Sequence, residues 1–200
     1  SGKGQTIDAA MVDGVPAMMG LFHQQIAKGS WTDGERQSNL LDGGAPFYRC
    51  YECSDGKFIS VGALEPQFFA ELVEIVKLPE IDLVTQNDRT TWAEKNKAYE
   101  KIFKSKSRDE WSKIFEGTDA CVTPILTLEE AKKYPANLER EVFFERDGII
   151  QASPAPRFGR TQNPKPGRIR GIGSNSEEIL KEIGLDQQEI DELKNSNVLT

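Results

Sequence analysis

The chain has 200 residues, 38% of them hydrophobic and 28% charged, which is long enough for one large domain or two small ones. Its formal net charge of −7 opposes nonspecific binding to nucleic acid, because an acidic surface repels phosphate backbones. None of its apolar runs reaches the length of a membrane span, so we expect no transmembrane segment.

The amino-terminal residues, SGKGQ, include no initiator methionine and none of the basic and apolar stretches of a leader peptide. We therefore expect no signal or transit peptide, and we expect the chain to be a fragment of a longer protein. The three cysteines, without a secretory signal, predict reduced thiols in an intracellular protein.

Two of the cysteines, Cys50 and Cys53, form a C-x-x-C motif. The surrounding residues predict a strand entering a turn, where positions three apart point to opposite faces. A zinc site that adds Cys121 and the single histidine, His23, is arithmetically possible. Buried or half-buried thiols are the favoured interpretation, so no metal site is predicted.

The first predicted element is a helix within residues 6–29, TIDAAMVDGVPAMMGLFHQQIAKG. Gly14 and Pro16 interrupt it, so the helix either kinks there or begins near Asp13. Its methionine-rich apolar stripe favours core packing or a subunit interface over contact with an acyl chain or cofactor. The stripe has spacings of three and four and comprises Ile7, Met11, Val15, Met18, Phe22 and Ile26.

A long polar loop follows, which is typical of a functional loop or a linker. The next segment, FYRCYECSDGKFISVGA, predicts two antiparallel strands around the turn residues 54–56. Directly after them, VGALEPQFF places Glu65 before Pro66 at the start of an apolar helix. The Glu65 carboxylate either stabilises the helix terminus or is presented for chemistry, and the residues alone leave both open.

Three amphipathic helices are predicted over residues 66–77, 91–106 and 107–117. The third begins with a capping box of Ser107 and Glu110 and stops at Gly117. The side chains expected to point inward are Phe69, Leu72, Val73, Val76, Trp92, Tyr99, Ile102, Phe103, Trp111, Ile114 and Phe115.

The last third of the chain is predicted to be less regular. ACVTPIL predicts a short buried strand whose Pro124 marks an edge or an exit. Residues 153–173 contain four prolines, five basic residues and no acids, which indicates either a surface linker or phosphate contacts. The five basic residues are Arg157, Arg160, Lys165, Arg168 and Arg170, and capping boxes are predicted at Thr127/Glu130, Ser174/Glu177 and Asp186/Glu189.

Four blocks occur in order from residue 2 to about 190: GKGQTIDAAMVDG, NLLDGGAPFYRCYECSDGKFISVGALEPQFF, FEGTDACVTPIL and SEEILKEIG. Together they resemble the alpha-methylacyl-CoA racemases, which are members of the type III CoA transferase family. The resemblance implies interconversion of (R)- and (S)-2-methylacyl-CoA thioesters in lipid metabolism. It implies no metal or redox cofactor, since CoA is part of the substrate. An interlocked homodimer and a peroxisomal or mitochondrial location are also implied.

Moving a proton from one face of the carbon next to a thioester to the other face requires a base and an acid on opposite sides. The resemblance implies a histidine and an aspartate for these roles, both in sequence that precedes the GKGQ block. His23, Asp8 and Asp13 do not match them. We therefore expect this chain to be inactive by itself.

Glu65 matches a glutamate that, in the resembling family, lies beside the catalytic histidine of the partner subunit. The resemblance therefore implies that Glu65 orients this histidine and favours its protonated form. Substrate-channel or interface roles are implied for Gly62, Ala63, Pro66 and Gln67 in the same loop, and for Asp42, Gly43, Gly44 and Tyr48 in the segment before it.

Two other functions remain open. A CoA transferase would use Asp13, which aligns with the nucleophile of that branch, but the loop GALEPQ stands where transferases carry a glycine-rich loop. A noncatalytic dimerisation or binding module on the same scaffold is the second. The predicted fold class is α+β: a small domain of antiparallel strands and packed helices over residues 46–150, flanked by residues 1–45 from an incomplete large domain and by a return segment with helices over residues 151–200.

Overall fold

The computed structural model describes residues 2–79, 81–161 and 163–199. Helices and small antiparallel sheets make up the chain, so the predicted α+β class is confirmed. Contacts divide it into two compact units, Ser1–Ile125 and Leu126–Thr200. The predicted small domain extended further, to residue 150, and the predicted three-part division stays a prediction.

The first unit begins with two short helices, α1 (Met11–Met18) and α2 (Gly20–Ala27). The predicted helix begins at Met11, two residues before Asp13, and is interrupted at Met19, whose N–H is shared between the carbonyl oxygens of Val15 and Pro16. Pro16 lies inside α1, and the predicted kink there stays a prediction. Neither helix buries a residue, and Met11 and Met18 are 86% and 84% exposed. Core packing of the stripe within this unit is therefore wrong, while a subunit interface and acyl contact stay open.

A three-stranded antiparallel sheet follows, in the order β1 (Tyr48–Glu52), β2 (Phe58–Gly62) and β3 (Val122–Pro124). The predicted hairpin between β1 and β2 is confirmed, with Gly56 at φ +75° in the turn, where a residue without Cβ is unstrained. β3 pairs with β2 alone, so Pro124 lies on an edge strand as predicted.

Helices α3 (Pro66–Val76), α4 (Trp92–Phe103) and α5 (Arg108–Phe115) bury their predicted apolar faces in this unit. The capping box of Ser107 and Glu110 is confirmed, whereas Ile114 is 39% exposed and does not point inward. Aromatic rings fill the core, and their largest fully buried members are Phe47, Tyr51, Phe69, Tyr99 and Phe103.

The second unit contains short helices and a two-stranded sheet. The capping boxes at Thr127/Glu130 and Asp186/Glu189 are confirmed. The box at Ser174/Glu177 is wrong, because the helix there begins at Ser176, after an Asn175 cap that makes no side-chain hydrogen bond. Sequence reasoning missed the short helix Pro135–Glu139 and the hairpin of strands Phe143–Arg146 and Ile149–Ala152. The elements are α6 (Leu128–Lys133), α7 (Pro135–Glu139), β4 (Phe143–Arg146), β5 (Ile149–Ala152), α8 (Ser176–Glu182) and α9 (Gln187–Asn195).

The basic segment 153–173 has neither helix nor strand among its described residues, in agreement with the linker interpretation. The Arg168 Nε lies 3.7 Å from Asp147 Oδ1, and the Arg170 Nη1 lies 3.9 Å from Glu178 Oε2. The predicted phosphate contacts of this segment stay a prediction. Where the chain is described, its longest helix has twelve residues, and none is long and apolar enough to cross a bilayer.

Candidate functional site

Glu65 lies where the chain leaves β2 and enters α3. Its backbone is extended, its carbonyl oxygen accepts from the Phe69 N–H at 3.0 Å, and Pro66 occupies the first helical position. The Glu65 side chain is exposed and makes no capping hydrogen bond with the helix. Capping through a hydrogen bond is therefore not its role, and the carboxylate is accessible to a partner group.

A cleft of about 560 Å³ is lined by residues from the start of β1, the end of β2 and the loop before β1. It brings together four of the predicted site residues, Asp42, Gly43, Tyr48 and Gly62. Tyr48 and Gly62 are paired across the hairpin, which explains why residues fourteen positions apart share one wall. Sequence reasoning missed the other six lining residues, which are Gln37, Arg49, Cys50, Ser60, Val61 and Cys121.

Asp42 organises the loop that forms one wall of the cleft. Its carboxylate accepts hydrogen bonds from the backbone N–H groups of Asn39 (2.8 Å), Gly44 (3.1 Å) and Ser38 (3.3 Å) and from the Asn39 amide (2.9 Å). Partial burial by itself raises the pKa of Asp42, but these hydrogen bonds outweigh it and lower the pKa. Because its oxygens are engaged in the loop, Asp42 shapes the cleft rather than acting as an acid or base.

The other predicted positions divide by burial. Gly44 and Ala63 are buried, and Ala63 donates its N–H to the Phe47 carbonyl at 2.9 Å, so both set the course of the backbone. Pro66 and Gln67 are exposed on the first turn of α3, next to Glu65. Asp13 and His23 are exposed on α1 and α2. The substrate-binding roles predicted for the loop residues stay predictions.

The cysteines separate as the strand pattern predicts: Cys50 is exposed and Cys53 is buried. A metal ion bound by both thiols would need them on one side of β1, so this C-x-x-C motif does not form a ligand pair. Across residues 2–79, 81–161 and 163–199, no group of three or more His, Cys, Asp or Glu side chains is placed to hold a metal ion.

Thiol alkylation is expected to distinguish the three cysteines. Burial, reinforced by the charge of Asp55, raises the pKa of Cys53 to about 11, so this thiol is both shielded and protonated at neutral pH. Cys50 and Cys121 are expected to react with iodoacetamide in the folded chain and Cys53 only after unfolding, as measured by mass spectrometry of the peptides. Equal labelling of Cys53 in the folded chain would contradict the buried position of this thiol.

The same shift affects stability. The Cys53 thiol titrates at a higher pH in the folded chain than in the unfolded chain, so its contribution to stability is complete below about pH 8.5. That contribution is lost as the pH rises towards about 11.

Cys121 lines the cleft and is affected by the charge of Glu65. Burial raises the pKa of Cys121, and the negative charges of Glu65, Asp119 and Glu71 raise it further. The Glu65 carboxylate therefore acts on a residue of the cleft wall.

The sequence model of CoA-transferase family III matches residues 1–171. The chain belongs to CoA-transferase family III. This family III chain is 41% identical over 201 aligned residues to the human alpha-methylacyl-CoA racemase and 39% identical to the mouse protein of that name. Both alignments cover 100% of the chain and 52% of the relative, so the chain spans about half the length of these proteins.

Solved structures agree on the fold of this family III chain. A CAIB/BAIF family protein from Brucella suis matches with a TM-score of 0.64 at 18% identity, covering 91% of this chain and 49% of that one. At that identity the likeness is one of fold. The family model and the two racemase relatives confirm the resemblance in sequence to family III.

Proposed function

We propose that this chain is part of an enzyme that interconverts (R)- and (S)-2-methylacyl-CoA thioesters by removing and returning the proton next to the thioester carbonyl. The observation that carries the proposal is Glu65, an exposed carboxylate at the start of α3 that makes no capping hydrogen bond and whose negative charge helps to raise the pKa of Cys121. The racemase names of the relatives that are 39% and 41% identical support it.

In the proposed mechanism, a base removes the α-proton from one face of the thioester and an acid returns a proton to the other face. The negative charge that develops on the thioester oxygen needs nearby hydrogen-bond donors. The histidine and aspartate that carry the protons are proposed to lie outside these 200 residues, so the chain alone is proposed to be inactive. An interlocked homodimer and a peroxisomal or mitochondrial location belong to the same proposal.

Glu65 would act through the histidine. A carboxylate beside an imidazole favours the charged imidazolium, which raises the histidine pKa and holds the ring in one orientation. Asp42 would keep the loop before β1 in shape, through its four hydrogen bonds, while Tyr48 and Gly62 would line the substrate cleft. In this proposal, these residues bind the substrate and orient the histidine, while the histidine and the aspartate move the protons.

Glu65→Gln in the longest natural form of the protein is expected to slow α-proton exchange by about 10- to 100-fold, the effect of losing one to two pKa units of charge pairing. The acidic limb of the pH–rate profile is expected to move to lower pH, because the histidine loses its anionic partner. Exchange is measured by NMR as deuterium entering the α position of a 2-methylacyl-CoA in deuterium oxide.

Glu74→Gln is the matched control, because Glu74 is an exposed glutamate on α3, the helix that Glu65 precedes. It is expected to leave the exchange rate unchanged. If no deuterium enters the substrate while CoA passes to an acceptor acid, the protein is a transferase and Asp13 becomes the candidate nucleophile. If neither reaction occurs in the longest natural form, the noncatalytic binding module is favoured.

A further inference from the structure

The backbone just before Glu65 is held by a buried side chain from elsewhere in the fold. Gln86 lies in the loop between α3 and α4 and is 4% exposed. Its side-chain Nε2 donates hydrogen bonds to the carbonyl oxygens of Ala63 at 3.3 Å and Leu64 at 3.0 Å. The Leu64 carbonyl belongs to the peptide bond that carries the Glu65 nitrogen. Gln86 therefore hydrogen-bonds to the last two peptide groups before Glu65.

Gln86 is itself anchored to α4. The indole Nε1 of Trp92 donates to the Gln86 carbonyl oxygen at 3.0 Å, and the Trp92 ring packs edge-to-face on Phe47 in the core. Thr85, the residue before Gln86, is held by the same helix. The buried Lys95 ammonium donates to the Thr85 carbonyl oxygen at 2.8 Å and to the Thr85 hydroxyl oxygen at 2.5 Å. Two contacts from one helix therefore fix the segment from which the Gln86 amide reaches Ala63 and Leu64.

We infer that Gln86 is a positioning residue, which holds the Ala63–Leu64 backbone and thereby sets the place of the Glu65 carboxylate. The inference deepens the proposed function and rests on it for the role of Glu65 in catalysis. Without the Gln86 donors, two buried or half-buried carbonyl groups lose their partner and the turn must move to find water. A displacement of about 1 Å at a catalytic constellation is enough to lower the rate on the order of 10²-fold.

Cys121 offers a readout of the Glu65 position that does not depend on enzyme activity. Because Glu65 contributes to the raised pKa of Cys121, moving the carboxylate away from the thiol or neutralising it increases the thiolate fraction. Glu65→Gln is expected to accelerate alkylation of Cys121 about twofold at neutral pH. Gln86→Met, which keeps the side-chain length and removes the donors, is expected to do the same, and the double variant is expected to react no faster than Glu65→Gln.

The second readout is α-proton exchange by the longest natural form. Gln86→Met is expected to lower kcat about tenfold, and the double variant Glu65→Gln/Gln86→Met is expected to be no slower than Glu65→Gln alone, since groups that act through one another are not additive. Asn87→Leu is the matched control, because it removes an exposed amide one residue away. It is expected to change neither readout.

Circular dichroism first establishes that each variant is folded. If Gln86→Met is not, Trp92→Phe tests the same support, because it removes the hydrogen bond to the Gln86 carbonyl together with part of the buried indole ring. The inference is overturned if folded variants alkylate Cys121 at the wild-type rate, or if the losses in exchange from Glu65→Gln and Gln86→Met simply add. Should the thiol results be as expected while the wild-type protein incorporates no deuterium, the positioning role stands and the proposed racemase activity fails.

Discussion

Phe103→Ala is expected to lower the free energy of unfolding of the first unit by about 4 kcal/mol, the usual cost of truncating a fully buried aromatic ring. Phe103 is 0% exposed, and its ring centroid lies 5.1 Å from that of Tyr51 and 5.2 Å from that of Trp111. The variant therefore loses both buried area and aromatic contacts that join α4, α5 and β1. Phe103→Leu, which retains most of the volume, is expected to cost less than half as much.

Denaturant unfolding followed by tryptophan fluorescence measures this effect on the right part of the chain. The three tryptophans, Trp31, Trp92 and Trp111, all lie in the first unit. Equal midpoints for Phe103→Ala and the wild-type chain, with unchanged slopes, would contradict the central place of Phe103 in the core.

Gly44→Ala is expected to destabilise the first unit by about 3 kcal/mol or more, because the added Cβ has no room. It would lie 2.7 Å from both the backbone N and O of Asn39 and 2.8 Å from the Gln37 carbonyl oxygen. These are backbone atoms of the loop that Asp42 braces, so no side-chain rotation relieves the clash. The loop must open, and the cleft wall moves with it.

Gly62→Ala is the control for this substitution. The Cβ that it adds meets only the Cys121 carbonyl oxygen at 3.7 Å, an ordinary contact. Denaturant midpoints are expected to fall strongly for Gly44→Ala and little for Gly62→Ala. Similar losses for the two variants would show that the close approach at Gly44 does not govern the loop.

Local sequence signals predicted many elements of this chain correctly. The hairpin follows from alternating apolar residues around Asp55 and Gly56, a pair that favours a tight turn. Ser107 with Glu110 and Asp186 with Glu189 mark the starts of α5 and α9, because a capping box involves residues only three positions apart. Each of these signals depends on neighbours in the chain, and so it can be read without the fold.

A competing local feature and a missed turn signal explain two of the errors of sequence reasoning. Gly173, at φ +75°, leads into a start of α8 at Ser176, and the Ser174 box does not form. The β4–β5 hairpin carries a turn signal in Asp147 and Gly148, both at positive φ, which sequence reasoning overlooked.

By itself, the sequence determined the α+β class, membership of the family through its motif blocks, and Glu65 as the residue to examine. Only the tertiary structure decided that Asp42 is engaged in its own loop, that the charge of Glu65 raises the pKa of Cys121, and that Gln86 donates to the carbonyl groups of Ala63 and Leu64, more than twenty residues earlier in the chain. The reason is physical: capping, turns and helical periodicity act between near neighbours in sequence. The surroundings of a site depend on which distant segments packing brings together, and no local pattern records that.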